Sequence, residues 1–312
     1  MNIHPVIAEA IRCKAAVAVS VSGGKDSQAM ERKLAQMRRE QAWPGSFFAV
    51  HADIGELFDW PWTLGLCRRN AYALGHELHV VKRIDGLDMA DLIWRRIEAT
   101  SGSGKPPFPS MTCRYCTSDA KTAPIDVLLR KAGSLVVCAV GLRSKESYRR
   151  AKQPEITVRK SITTERLKEL NPERALEEWL RKPEGRLALT WNPILDWDVN
   201  QVWEACCTSQ AELDTRREFF KMGYPGMALS GWPASPTYLW QSRHSCAICI
   251  FGSRSDIEAG AALKPELHKE IAEMEETCGF AWQQGNPLSK ITVSPQAIPL
   301  EAMTIQPLPM GY

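Results

Sequence analysis

The chain of 312 residues lacks any continuous apolar run of bilayer length, for which roughly 18–20 residues are needed, so no membrane span is expected. It also lacks a strong charge of either sign. Lys and Arg number 39 against 36 Asp and Glu, a net of +3, too small an excess to imply a polyanionic partner by itself. No internal repeat is visible, which excludes solenoids and propellers. The N-terminal stretch "MNIHPVIAEAIRCKAAVAVSV" has no small-residue cleavage site before its apolar part, so a secretory leader is not expected and the chain reads as cytoplasmic. Two common phosphate-binding patterns are missing as well: the Walker spacing and the dinucleotide pattern G-x-G-x-x-G.

What is present is ordinary globular composition, 44% hydrophobic and 24% charged, with length for one large domain or two modest ones. Near-continuous apolar runs at "AAVAVSV" (15–21), "SFFAVHAD" (46–53), "ELHVV" (77–81), "SLVVCAVG" (134–141) and "LALTWNPI" (187–194) predict buried strands. Helical spacing fills 26–42 and 59–75, with stop signals near Pro44-Gly45 and at Gly75. Strand–helix alternation of this kind predicts an α/β fold, a parallel sheet with helices on both faces. The charged stretch 157–186 reads as a mostly helical, solvated insertion before the last strand. From about Val199 the pattern turns to broken helical pieces, which places an α/β domain at 1–205 and a smaller, mainly helical region at 206–312. The eleven tryptophans read as core packing.

The informative stretch is "AVAVSVSGGKDSQAM" (16–30). A strand stops at Ser22-Gly23-Gly24-Lys25-Asp26-Ser27 and a helical pattern follows. Glycines let backbone amides approach a ligand, and the helix N-terminus favours an anion there. Lys25 adds a point charge suited to phosphate, and Ser22 and Ser27 add hydroxyls. Asp26 would repel phosphate unless it holds a cation or positions its neighbours, which implies a magnesium ion.

"SGGKDS" resembles the pyrophosphate loop (PP-loop) of the ATP pyrophosphatases, in the adenine nucleotide α-hydrolase-like superfamily. "VHADIGE" (50–56), "RYCTSDAKTAPI" (114–125), "GLRSKESYRRAK" (141–152) and "NPILDWDVNQVW" (192–203) resemble motifs of the phosphoadenosine phosphosulfate (PAPS) reductase-like family. "SRHSCAICIFGSRSDIEAGAALKPE" (242–266) resembles the cysteine segment of its phage and bacterial members, relatives of the DNA-phosphorothioation pyrophosphatases. The likeness spans residues 15–285. It implies a Rossmann-like PP-loop fold, ATP and Mg2+ as ligands, and cleavage between the α- and β-phosphates with transfer of AMP. By the same resemblance Ser22 to Ser27 hold the phosphates, Asp53 serves metal or ribose, and Gly141, Arg143 and Arg150 meet the nucleotide. Lys25, Asp26, Arg143 and Lys121 are the implied catalytic set, while Glu146 reads as the partner of a nearby Arg.

Ten cysteines in a chain read as cytosolic suggest thiols or metal ligands rather than disulfides. Cys113-Arg-Tyr-Cys116 and Cys246-Ala-Ile-Cys249 are two C-x-x-C pairs able to converge on one metal, zinc or an iron–sulfur cluster. The family motif begins at Arg114, which makes Cys116, Cys246 and Cys249 the firmer ligands and leaves Cys113 outside. Three ligands on a [4Fe–4S] cluster would leave one iron open for sulfur transfer, as the resemblance implies; four would close it. Cys206-Cys207 are vicinal and unsuited to an unstrained disulfide, and Cys13, Cys67 and Cys138 read as packed residues.

The favoured expectation is therefore an ATP pyrophosphatase-type enzyme with a cluster assisting sulfur transfer, acting on an unnamed acceptor that includes nucleic acid among its candidates. Basic clusters at 66–70, 94–98 and 148–152 suit a phosphate backbone, although Arg pairs on helices commonly face solvent. Two alternatives stand beside it: a sulfonucleotide reductase using Cys278 as its thiol, and a non-catalytic nucleotide-sensing subunit. "EETCGF" (275–280) reads first as a helix end capped by Gly279. The oligomeric state stays open.

Overall fold

A computed structural model of the chain describes residues 2–291. Six strands, β1 (Ala16–Ser20), β2 (Phe47–Ala52), β3 (Leu78–Val81), β4 (Leu135–Val140), β5 (Ile156–Val158) and β6 (Leu187–Trp191), form one sheet in the order β3-β2-β1-β4-β6-β5. β1 pairs in parallel with β2 and with β4, and β4 in parallel with β6. The ten longer helices are α1 (Pro5–Arg12), α2 (Lys25–Gln41), α3 (Thr63–Leu74), α4 (Met89–Thr100), α5 (Ala123–Ala132), α6 (Pro172–Arg181), α7 (Val199–Ala205), α8 (Gln210–Lys221), α9 (Arg254–Leu263) and α10 (Pro265–Cys278).

The predicted α/β class is the one observed. Every residue of β2 and all but the last of β1 and β4 are buried, so the sheet is covered on both faces, as continuous apolar strands require. On one face Val17, Val19, Ala49, Val137 and Leu189 share a core with Ile7 of α1 and Leu34 of α2. On the other, Ala18, Val50, Val136 and Ala188 are buried too. Eight of the tryptophans are buried: Trp43, Trp60, Trp62, Trp179, Trp191, Trp203, Trp232 and Trp282.

Three sequence expectations change. β5 was not foreseen: it is three residues long and antiparallel to β6, pairing Ile156 with Trp191, too short to carry a periodic signal. The stretch 157–186 is not a solvated insertion. It supplies the end of that edge strand and then α6, capped by the Asn171 side chain and with Ala175, Leu176 and Trp179 in the core. The second helix begins at Thr63 rather than 59, because Trp60-Pro61-Trp62 forms a turn that precedes the helix. The stop at Gly75 takes φ 73°, while α2 ends before Pro44, on a left-handed Ala42 at φ 47°.

The chain divides into two compact units, each assembled from three stretches. The first takes 1–51, 66–81 and 125–212, the second 52–65, 82–124 and 213 onward. Residues 52–65 and 82–124, grouped with the sheet by sequence, thus pack within the second unit. No helix among the described residues is long and apolar enough to cross a membrane.

In the second unit, buried Glu275 on α10 accepts three backbone N–H groups: Trp282 at 2.6 Å, Leu288 at 3.0 Å and Ser289 at 3.2 Å. Glu275→Ala would leave these donors unpartnered and is expected to cost about 2–4 kcal/mol. Urea unfolding measures the loss, and limited proteolysis should show first cleavage within 280–290.

Candidate functional site

The sheet order sets the first site. From β1 the chain moves outward to β2 and β3, then returns to β4 on the other side of β1. Such a reversal leaves a crevice beyond the carboxyl ends of the two central strands, where α/β sheets bind ligands. Both segments that resemble nucleotide-binding motifs leave the sheet there, one after β1 and one after β4.

After β1, Gly23 turns the chain at φ 74° and Gly24 enters α2 in extended conformation without a capping side chain. The first N–H groups of α2 have no partner within the helix, and its dipole favours an anion. The Ser27 hydroxyl donates to Gly24 O at 2.9 Å and accepts Ser22 N–H at 3.2 Å, bracing the turn. After β4, Gly141 packs against that same first turn: a Cβ on it would stand 2.9 Å from both Ser27 N and Ser27 Cα. Only glycine lets the two backbones come this close.

Lys25, 8% exposed, places Nζ 3.0 Å from one Asp26 oxygen and 5.8 Å from the centre of the Trp203 ring. The other Asp26 oxygen accepts Nε of Arg143, itself 6% exposed. The acid in the loop thus has a structural explanation besides magnesium: it lies between two cations and orients both. Beneath them Cys206 donates its Sγ–H to Lys25 O at 3.3 Å, and burial pushes that thiol up to about 12. Sequence reasoning did not assign these roles: Trp203 is visible there only as the end of the 192–203 motif, and Cys206 only as half of a vicinal pair.

Ser22, Gly23, Gly24, Lys25, Asp26, Ser27, Gly141 and Arg143 are therefore brought together in the first unit. Arg150 instead pairs with Glu146 one turn away, as expected of that glutamate. Asp53 closes a turn by accepting Gly55 N–H at 2.9 Å and pairs with Lys82 at 3.0 Å, all within the second unit.

The thiols form another cluster in the second unit. Cys116, Cys246 and Cys249 lie within electrostatic reach of one another and of Lys121 and Asp59. Burial raises the Cys246 thiol to about 12, against the pull of Lys121, and raises Cys116 as well. The thiolate field of Cys246 in turn holds the Lys121 ammonium above its ordinary value. Cys113 stands apart, exposed, with Arg96 Nη2 at 3.4 Å from its sulfur. Among the described residues no group of three or more His, Cys, Asp or Glu side chains stands ready to hold a metal ion. In kind, three thiols beside an ammonium fit a soft, thiolate-bound metal or cluster, and their spacing must close for them to ligate one.

Asp59 and Lys264 escaped sequence reading. Buried Lys264 donates to Glu56 O, Leu57 O and Asp59 O at 2.6, 2.9 and 3.0 Å. The strapped loop also offers Phe58 O to Ala247 N–H at 2.9 Å, between Cys246 and Cys249.

Residues 16–215 match the phosphoadenosine phosphosulfate reductase domain family. Among solved structures, the chain is similar to a phosphoadenylyl-sulfate (PAPS) reductase from Candida auris in its phosphate complex. Identity is 16%, covering 67% of this chain and 82% of that one, with a TM-score of 0.39. It is also similar to the U34-tRNA thiolase NcsA from Methanococcus maripaludis with its [4Fe-4S] cluster, at 14% identity, covering 93% of this chain and 82% of that one, with a TM-score of 0.35. A search of curated proteins gives no match.

Two outcomes are expected. Gly141→Ala must push the loop after β4 off α2, costing about 1–3 kcal/mol and weakening any nucleotide binding there; thermal melts and calorimetric titration measure both. Lys264→Met leaves three carbonyls unpartnered and should destabilise the second unit by about 2–4 kcal/mol, while Cys246 and Cys249 label faster with a maleimide than in the unsubstituted chain.

Proposed function

Because the chain belongs to the phosphoadenosine phosphosulfate reductase domain family, we propose that it is a nucleotide-dependent enzyme of sulfur chemistry that binds ATP on the glycine loop, adenylates an acceptor and releases pyrophosphate. The observation that carries this reading is the meeting of Gly23, Lys25 and Arg143 at the shared carboxyl edge of β1 and β4.

The chemistry follows from the groups present. Breaking the bond between the α- and β-phosphates leaves negative charge on the departing pyrophosphate. Preorganised donors stabilise that charge better than water, since they need not reorient as it develops. The first turn of α2 supplies amides, and Lys25 supplies a full charge. Asp26 holds that ammonium and the Arg143 guanidinium on opposite sides of one carboxylate. Arg143 is anchored through Nε, so its other N–H groups can fork onto phosphate oxygens. Magnesium arriving with the triphosphate would neutralise part of its charge. A cluster held by Cys116, Cys246 and Cys249 would supply iron chemistry for handling sulfur. Lys121 would then offset the negative charge that three thiolates carry.

The family description itself favours a second reading, reduction of a sulfonucleotide by a thiol. Cys278 serves it poorly. It ends α10 with Gly279 left-handed at φ 72°, and its Sγ–H is directed at Glu275 O and Phe280 O, each 3.8 Å away. Burial raises this thiol, whereas a nucleophilic cysteine needs its thiolate favoured.

ATP–pyrophosphate exchange with acceptor candidates, beside reduction of phosphoadenosine phosphosulfate, separates the readings. Lys25→Ala should lower exchange by about 100-fold or more, and Cys278→Ser should leave it unchanged. Exchange undiminished in Lys25→Ala would overturn the proposal, and reduction abolished by Cys278→Ser would establish the second reading.

A further inference from the structure

We infer that Cys206 and Cys207 are an oxidation site for hydroperoxides, closing to a vicinal disulfide that frees the Lys25 carbonyl from the thiol holding it. The inference rests, for its effect on ATP, on the reading of the glycine loop as a nucleotide site. Every residue it uses lies in the first unit.

The end of α7 carries a residue at a backbone cost. Thr208 N–H donates to Trp203 O at 3.0 Å and Cys207 N–H to Glu204 O at 2.9 Å. This pair of bonds closes a helix whose next residue turns left-handed, a position that glycine usually fills. Here Cys207 fills it, at φ 60°, and a side chain kept in a strained backbone calls for a use. The turn sets the exposed Cys207 sulfur where Arg32 Nη1, from α2, donates to it at 2.9 Å. Cys206, just before the turn, is fully buried and donates its Sγ–H to Lys25 O at 3.3 Å. One thiol thus meets solvent beside a cation, while its neighbour in sequence touches the glycine loop.

The two sulfurs lie within electrostatic reach of each other, and Arg32 bears on both. A guanidinium donating to sulfur favours negative charge there, and the thiolate is the form of cysteine that attacks an oxidant. Other thiols lack the combination. Cys13 lies against the Glu9 carboxylate at 3.6 Å, Cys67 and Cys138 are buried, and Cys113, beside Arg96, belongs to the second unit.

The chemistry has two steps. The Cys207 thiolate attacks the O–O bond of a hydroperoxide. A sulfur–oxygen bond forms, the O–O bond breaks, and the departing alkoxide takes a proton from water to leave as an alcohol. The Cys206 sulfur then attacks the Cys207 sulfenic acid. The S–S bond forms, the S–O bond breaks, and hydroxide leaves with the Cys206 proton as water. The thiols lose a pair of electrons and the peroxide gains it. Oxidised Cys206 has no S–H, so the bond to Lys25 O is lost whatever shape the ring takes. Adjacent cysteines cannot close an unstrained ring, and a strained disulfide is readily reduced, which makes the mark reversible.

The test exposes the reduced full chain to hydrogen peroxide, blocks remaining thiols with iodoacetamide and digests with trypsin. Mass spectrometry reads the 187–216 peptide, which holds both cysteines, while hydrogen exchange reads the loop and calorimetry reads ATP. The peptide should be unalkylated, lighter by one pair of hydrogens and linked to no other. Amide exchange over 22–31 should quicken and ATP affinity fall about tenfold, with dithiothreitol restoring all three. Arg32→Met should slow closure by about tenfold. Cys207→Gly suits the left-handed turn, so it should fold at least as well, bind ATP as the reduced chain does and ignore peroxide. Cys207 bridged to another cysteine, or oxidised to sulfinic acid with Cys206 alkylated, would overturn the pairing. A closed ring with exchange and ATP affinity unchanged would overturn its effect on the loop, as would equal peroxide sensitivity in Cys207→Gly. A reduced chain with no affinity for ATP sinks the functional reading beneath, while ring closure with quickened exchange would still uphold this one.

Discussion

Two backbone stretches, one leaving β1 and one leaving β4, approach until no Cβ fits between them, and the proposed nucleotide site is arranged around that approach. With Gly141 against Ser27, Arg143 two residues later comes within reach of Asp26, and Asp26 in turn fixes Lys25. A wider separation would leave an acid and two bases as independent surface groups, each with solvent as its best partner. The close packing makes them a single unit instead. Lys25 and Arg143 are both nearly buried, which excludes much of the water that would otherwise screen their pull on a phosphate. The acid that looks out of place in a phosphate loop is what permits two cations to be buried side by side.

The thiol cluster follows the same electrostatic logic with the sign reversed. Burial and neighbouring negative charge make the Cys116 and Cys246 thiols resist losing their protons until something positive arrives. Lys121 supplies part of that charge permanently, and a bound metal would supply the rest. This distinguishes the three cysteines from Cys113, whose neighbour is Arg96 and whose sulfur is exposed. Spacing along the chain joins Cys113 to Cys116 as a pair. The backbone separates them, since Cys116 follows Tyr115 into a helical turn whereas Cys113 precedes it.

The central strands were legible because burial on both faces demands unbroken apolar runs, a signal that survives without knowledge of the partner strands. The loop after β1 was legible because two glycines, a lysine and hydroxyls are clustered at a strand end. β5 was not, since three residues at a sheet edge gain their structure from β6 rather than from their own pattern. Lys264 and Asp59 were invisible for a related reason. Their roles arise from carbonyls and thiols more than 50 residues away in sequence, and a lone lysine before Pro265 reads as a solvated charge. Arg150 shows the converse. Its motif is local and was noticed, and its guanidinium meets Glu146 in the same turn.

The region near residue 200 shows how packing runs across a change in local pattern. The strand–helix alternation ends there, and a division at 205 follows naturally from sequence. Packing runs up to and across that point: Trp203 on α7 lies under the Lys25 ammonium, and Cys206, one residue beyond the division, donates its thiol hydrogen to Lys25 O. Both contacts serve the glycine loop, nearly 180 residues earlier, and both belong to the first unit. Earlier in the chain, 52–65 and 82–124 leave the sheet to build the second unit around Lys121, Cys116 and the Lys264 strap. Each unit therefore depends on contacts that close long loops, whose entropic cost grows only slowly with length, so an interleaved chain is little costlier to close than a sequential one. Where a candidate site draws residues nearly 180 positions apart, as Lys25 and Cys206 are, a change in local pattern marks first of all a change in secondary structure.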